Sequence, residues 1–330
     1  MPKLLIIGII CVSLGFLAGV AATHLISTGK ITTKAVSSES SEFHAGGYKF
    51  INPLYECNTG EEYGQEQLTK LQGTIQDYID KLIASNSTIN ASVYFRDLNN
   101  GPWFGVNEKA QFAPSSLLKL PVMMAYYKLA ETNPSILEKK VKYNEDPPGL
   151  IPQNFPPENA LVKGQIYTVE ELIEHMIIDS DNVALWYLMQ NIDNNLLDKV
   201  TLDLGITTAT DATPDNFMSV AEYSTLLRVL YYSTYLNNDY SEKAMELLAR
   251  TNFTGGLVKL LPKNVSVAHK FGERDISNNI YQLHDCGIVF YPNRPYLICV
   301  MTKGPNFNDL ETTIQQISRK VYDMYSQKYH

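Results

Sequence analysis

Residues 113–131 read APSSLLKLPVMMAYYKLAE, an almost wholly apolar run in which one lysine, Lys119, stands three residues after Ser116. A lysine buried in such surroundings is costly unless its charge is paired or its proton displaced. Pro114 and Ser115 read as a helix start, with Ser115 the expected cap and Ser116 in the first turn. There the backbone N–H groups lack intrahelical partners and the helix end is positive. Lys119 at i+3 shares a helical face with Ser116. An amine facing a hydroxyl can act as its base if burial lowers the amine pKa. Pro121 lies inside the same helix, where proline normally costs about 3 kcal/mol, and local rules tend to be broken near functional sites. Ser-x-x-Lys alone is a weak signal. It recurs at Ser27–Lys30, and a lysine snorkelling from a core helix to water explains the pattern without any chemistry.

Two more motifs lift the signal. IIDSDNVAL supplies Ser180-Asp181-Asn182 between two helical stretches, and VAHKFGE supplies Lys270-Phe271-Gly272 in a strand-like one. Ser-Asp-Asn alone is more often a helix cap. The trio in this order and on these elements is specific.

The wider chain is ordinary in composition: 330 residues, 45% hydrophobic and 19% charged. A formal net charge of −8 argues against nucleic acid as a partner. Residues 4–22, LLIIGIICVSLGFLAGVAA, carry no charge and are long enough to span a hydrocarbon core of roughly 30 Å. An uncleaved N-terminal membrane anchor over 1–23 is the favoured reading; a cleaved signal ending near Val20-Ala21-Ala22 is the alternative. Either exports the remainder to an extracytoplasmic location. Residues 24–47, rich in Ser, Thr and Gly, read as a linker, and 48–330 as one domain, expected to be monomeric. Of the four cysteines, Cys286 and Cys299 flank a turn at PNRP, a spacing that permits a bridge without implying one; Cys57 is left over. The scattered histidines show no metal-binding spacing, so no metal or cofactor is expected.

Leu68, Leu71, Ile75, Tyr78, Ile79, Leu82 and Ile83 share one face of a first helix. ASVYFRDLNNGPWFGVNE then reads as a hairpin turning at Asn-Asn-Gly. Residues 145–165 are too rich in proline for helix or central strand and read as a long structured loop, with Phe155 either its contact to the pocket or the residue that pins the loop to the surface. Thr168 and Glu171 form a capping box, helices follow, and three strands and a helix close the chain. The order fits an α+β fold: terminal strands in one antiparallel sheet, central helices in a second lobe.

From about residue 48 onward the chain resembles the class A β-lactamase and penicillin-recognising serine hydrolase superfamily. The resemblance implies an antiparallel sheet flanked by N- and C-terminal helices, beside an all-helical lobe. It also implies roles: Ser116 as nucleophile, Lys119 as its proton acceptor, and Ser180 as the hydroxyl that protonates the leaving nitrogen. Asn182 would hold the substrate amide, Lys270 would support Ser180 and attract a carboxylate, and the N–H groups of Ser116 and Glu273 would form the oxyanion hole. Gly272 is expected where a substrate backbone approaches the strand. Three departures accompany the match. Phe271 brings no hydroxyl, Glu273 stands where a small residue is common, and no glutamate lies between Leu204 and Ser219, where the family carries its deacylating Glu-x-x-Leu-Asn. Asp211 and Asp215 are the carboxylates there. Three functions fit: a hydrolase of β-lactams or related amides, a carboxypeptidase or transpeptidase acting on peptidoglycan stem peptides ending in D-Ala-D-Ala, and a cell-wall ligand-binding protein without turnover.

Overall fold

Leu68, Leu71, Ile75 and Ile79 are buried along one side of helix α1 (Gln65–Ala84), whereas Ile83, expected on the same face, is exposed near its end. The computed structural model describes residues 48–52, 65–99, 101–150, 152–207, 209, 215–277 and 279–329. The expected anchor and linker, Cys57 and Asp211 lie outside the described residues. Among the described residues no helix is long and apolar enough to cross a membrane.

The hairpin forms as expected, with β1 (Asn90–Asp97) paired to β2 (Trp103–Val106). Asp97 accepts the Asn99 N–H at 2.9 Å, and Gly101 takes φ +79°, a conformation glycine adopts at no steric cost. β5 (Val267–Ser277), β6 (Ile280–Val289) and β7 (Tyr296–Gly304) complete one antiparallel sheet in the order β2-β1-β7-β6-β5. β5 is therefore an edge strand, and its outward N–H and C=O groups have no partner within the sheet. Cys286 and Cys299, opposite each other on β6 and β7, are joined by a disulfide.

The central strands are buried on both faces because each face carries its own core. On one side, α1 and the last helix, α8 (Phe307–Tyr329), bring Ile75, Ile79, Leu310, Ile314 and Val321 against Phe95, Leu283 and Val300. Each such side chain contributes about 1.5–3 kcal/mol when fully buried. On the other side lies the helical lobe: α2 (Lys119–Ala130), α3 (Val169–Ile178), α4 (Asn182–Asn191), α5 (Asn194–Asp203), α6 (Val220–Tyr231) and α7 (Asn238–Ala249). α2 buries nearly its whole circumference, consistent with its position in the middle of that lobe. The Thr168 capping box opens α3 as expected, the Thr168 hydroxyl accepting the Glu171 N–H at 3.1 Å.

Sequence patterning had not separated α5, nor a short ladder between β3 (Lys140–Lys142) and β4 (Ile166–Thr168). That ladder clamps the two ends of the proline-rich loop. The Tyr187 hydroxyl on α4 holds the loop start, accepting from Asn144 and Glu145 N–H at 2.9 and 3.0 Å and donating to the Glu145 carbonyl.

Candidate active site

Ser115 does not cap the helix. It takes φ +50° at the start of a 3-10 turn, Ser115–Leu118, and its hydroxyl donates back to the Ala113 carbonyl at 3.3 Å. A left-handed conformation costs a non-glycine residue roughly 1–2 kcal/mol, so neighbouring structure must impose it. β6 does so through Ala113. Gln282 Oε1 accepts the Ala113 N–H at 2.9 Å, and His284 Nε2 donates to the Ala113 carbonyl at 2.9 Å. The Thr302 N–H donates to His284 Nδ1, so the buried imidazole is neutral with its proton on Nε2; burial pushes its pKa down to about 4. The backbone leading to Ser116 is thus pinned by two side chains about 170 residues away.

The other wall of this turn is β5. A Cβ at Gly272 would lie 2.9 Å from the Pro114 carbonyl oxygen and 3.3 Å from the Leu117 nitrogen. The protein's own turn therefore already requires glycine at this position. Gly272→Ala is expected to push β5 away from Ser116. Because a shift on the order of 1 Å can cost about 100-fold in rate, the acylation rate should fall at least ~10-fold, with a smaller loss in Tm. Stopped-flow acylation beside a thermal melt checks this, and an unchanged rate would contradict the steric account.

Ser116 itself is half-buried, and among the described residues its hydroxyl has no hydrogen-bond partner. The Lys119 amine is fully buried and turned toward the α3–α4 junction. It donates to the Ser180 carbonyl at 2.6 Å, Ser180 Oγ at 3.1 Å and Asn182 Oδ1 at 2.7 Å. From β5, the equally buried Lys270 donates to the same Ser180 Oγ at 2.9 Å and to the Phe271 carbonyl at 3.0 Å. Ser180 takes φ +55°, and in that conformation both its carbonyl and its hydroxyl meet Lys119.

Two lysines out of water around one hydroxyl cannot comfortably both stay charged. Burial lowers the Lys119 pKa to about 7, against the opposing pull of Asp181 and Glu273. Burial, and then repulsion from Lys119, hold Lys270 well below its ordinary value despite Asp285 and Glu273. The Lys270 amine also stands 4.3 Å from the Phe271 ring centre, a contact that favours its charged form. Asp181 is committed to the backbone: it caps α4 at Val183 and Ala184 and accepts the Leu161 N–H.

The trio read from sequence therefore converges. Lys119, Ser180, Asn182 and Lys270 form one hydrogen-bonded cluster, Lys119 standing three residues after Ser116, with Gly272 against the serine turn. Phe155 lies against β5: its N–H donates to Glu273 Oε1 at 3.0 Å, and its ring packs edge-on to Phe253, Phe271 and Phe307. There Phe155 helps line a cavity of about 350 Å³ with Phe253, Lys259 and Glu311. From the same loop, the Gln153 side-chain amide donates to the Ser180 carbonyl at 3.1 Å. Nothing in the local sequence distinguishes Gln153 from other polar loop residues.

The geometry can be compared with known proteins. A family model described as the beta-lactamase enzyme family matches residues 74–325. The chain belongs to that family. The VEB-1 beta-lactamase of Pseudomonas aeruginosa is 26% identical over 232 residues, which span 64% of this chain and 76% of that protein. A point mutant of PBP-A, solved as an acyl-enzyme complex with penicillin G, is 26% identical with a TM-score of 0.66, covering 79% of this chain and 97% of that one. A beta-lactamase from Chitinophaga pinensis, 19% identical, shares the fold with a TM-score of 0.65 over 76% of this chain and 98% of its own. The sheet flanked by helices is the class A beta-lactamase-like α+β fold, and the family is one of serine hydrolases.

Beta-lactamase-like catalysis has a second half, release of the acyl group, and among the described residues the carboxylates between Leu204 and Glu222 are otherwise engaged. Asp215 is paired with Arg274 of β5. Glu222 closes a capping box on Ser219 and accepts the Thr207 hydroxyl at 2.6 Å.

Proposed function

We propose that this protein is an acyl-serine hydrolase of the beta-lactamase type, with Ser116 as nucleophile, that acylates readily on β-lactams or related amides and deacylates slowly. The observation that carries the reading is the convergence of two buried amines on Ser180 Oγ beside a free Ser116 hydroxyl. A serine oxygen has two acceptor sites and one proton. With Lys119 and Lys270 both donating to it, the Ser180 proton is the one left to give.

The steps then balance. Ser116 Oγ attacks the amide carbonyl and its proton passes to Lys119 in its neutral form, which keeps two of its three hydrogen bonds and turns its lone pair to Ser116. The oxyanion forms against the N–H groups of Ser116 and Glu273, each such donor being worth about 3–4 kcal/mol in the transition state. As the C–N bond breaks, the leaving nitrogen takes the Ser180 proton, and Lys119 returns the proton it holds to Ser180. Asn182 Oδ1 is occupied by Lys119, which leaves its Nδ2 group to donate to a substrate carbonyl. A substrate carboxylate near Lys270 would supply the negative charge that burial denies it and draw a proton onto the amine.

Hydrolysis of the ester needs a water activated by a base, help typically worth 10²–10⁴-fold. Among the described residues of that region, Asp215 and Glu222 are both engaged. Mixing the protein with excess penicillin should therefore give a burst equal to the enzyme present, followed by slow turnover. Linear hydrolysis from the first turnover would overturn slow deacylation. Durable acylation together with cleavage of a D-Ala-D-Ala peptide would favour the peptidase reading, and absence of any adduct the binding-protein reading. An extracytoplasmic, membrane-anchored location belongs to the same proposal. It rests on the apolar segment at residues 4–22 and on the Cys286–Cys299 bridge, since disulfides persist in oxidising compartments.

A further inference from the structure

Glu273 stands on edge strand β5, three residues after Lys270, and both of its carboxylate oxygens are engaged by the proline-rich loop. Asn154 N–H donates to Oε2 at 3.0 Å and Phe155 N–H to Oε1 at 3.0 Å. One residue earlier, Gln153 Nε2 donates to the Ser180 carbonyl at 3.1 Å. Ser180 and β5 are the two walls of the catalytic cleft, bridged by Lys270. Residues 153–155 thus run from one wall to the other beside the catalytic cluster.

The two attachments are unequal. On the Ser180 wall the loop is held many times over. Asp179 accepts the Asn159 N–H and side-chain amide, Asp181 accepts the Leu161 N–H, and His175 Nδ1 meets the Asn159 carbonyl. On the β5 wall the hydrogen bonds from Asn154 and Phe155 both end on the single Glu273 carboxylate, with the Phe155 ring against Phe271 as the apolar anchor. Charged acceptors make the stronger hydrogen bonds, and here one side chain supplies two of them to consecutive N–H groups.

We propose that the Glu273 side chain is a latch that holds the Gln153–Phe155 strap across the cleft and thereby excludes substrates with a bulky group on that side. Glu273 acts here as a positioning and specificity-determining residue, in addition to any part its backbone N–H plays. The inference rests on the acyl-serine reading for its kinetic consequence, but the latch is measurable without it.

The test compares the full-length protein with Glu273→Gln, which keeps the size but replaces one acceptor oxygen by a donor. Amide exchange followed by mass spectrometry on peptides covering 153–155, and acylation rate constants for compact penicillin G and for cefotaxime with its bulky oxime side chain, are measured on both. Faster exchange confined to the strap and a rise of at least ~10-fold in the cefotaxime-to-penicillin G ratio are expected. Unchanged strap exchange, or a ratio that stays within about twofold, overturns the proposal. Glu273→Ala, which removes both acceptors, must shift both readouts the same way. If neither drug acylates the parent protein, the acyl-serine reading falls and exchange alone decides: strap protection lost in the variant keeps the latch, and protection retained removes it.

Discussion

Ser116→Ala is expected to abolish covalent labelling by a fluorescent penicillin while leaving the fold intact. The hydroxyl is half-buried and has no hydrogen-bond partner among the described residues. Its removal therefore orphans no buried donor, and the stability change should stay within about 0.5 kcal/mol, as for substitutions outside networks. Function is another matter. Without Oγ no ester forms, however well the oxyanion donors and lysines are placed. Losses from deleting a nucleophile are on the order of 10⁶-fold in comparable machinery. Ser115→Gly is the informative control. Glycine accepts φ +50° without cost, so this variant should label at close to the parent rate and melt no lower. Labelling that survives Ser116→Ala, seen as an intact adduct by mass spectrometry, would remove the assigned nucleophile.

Lys119→Arg should be almost as damaging as Lys119→Ala, with a loss of about 10²–10⁴-fold in acylation rate, the usual worth of a general base. The cause is protonation state. Burial brings the Lys119 pKa to about 7, so the amine passes from charged to neutral as pH rises through that value. The neutral form is the base, and the parent acylation rate should climb with pH through about 7 and level off above it. Arginine remains charged at every accessible pH. Its variant should lack the limb near pH 7 as well as the rate. Should arginine retain near-normal acylation, Lys119 would be acting only as a cation for Ser180 and Asn182.

These two predictions draw on different kinds of information. The role proposed for Ser116 has local determinants: a serine, a lysine three residues on and a helix start, followed by two more short motifs in a recognisable order. The hairpin, the Thr168 capping box and the amphipathic first and last helices were readable for the same reason: their determinants lie within a few residues of one another. What escaped the sequence reading was decided between distant segments. Ser115 looks like a cap in sequence; in the fold it takes the left-handed region where Gln282 and His284 hold Ala113 and Gly272 packs against the turn. Glycine at 272 was foreseen for its small size, but the neighbour it accommodates is the Pro114–Leu117 backbone. Phe155 was placed by its position in a loop, whereas three phenylalanines from separate parts of the chain fix its ring.

Local periodicity and capping, together with the order of three short motifs, thus determined the α+β class, most elements and the candidates for the reactive groups, because those depend on neighbours along the chain. The tertiary structure alone decided their coupling. Lys119 and Ser180 are 61 residues apart, Lys270 and Ser180 are 90, and Glu273 and Asn154 are 119. Only folding brings two amines into one dry cleft, and it is that desolvation, absent from any stretch of sequence read alone, that makes the Lys119 proton movable near neutral pH.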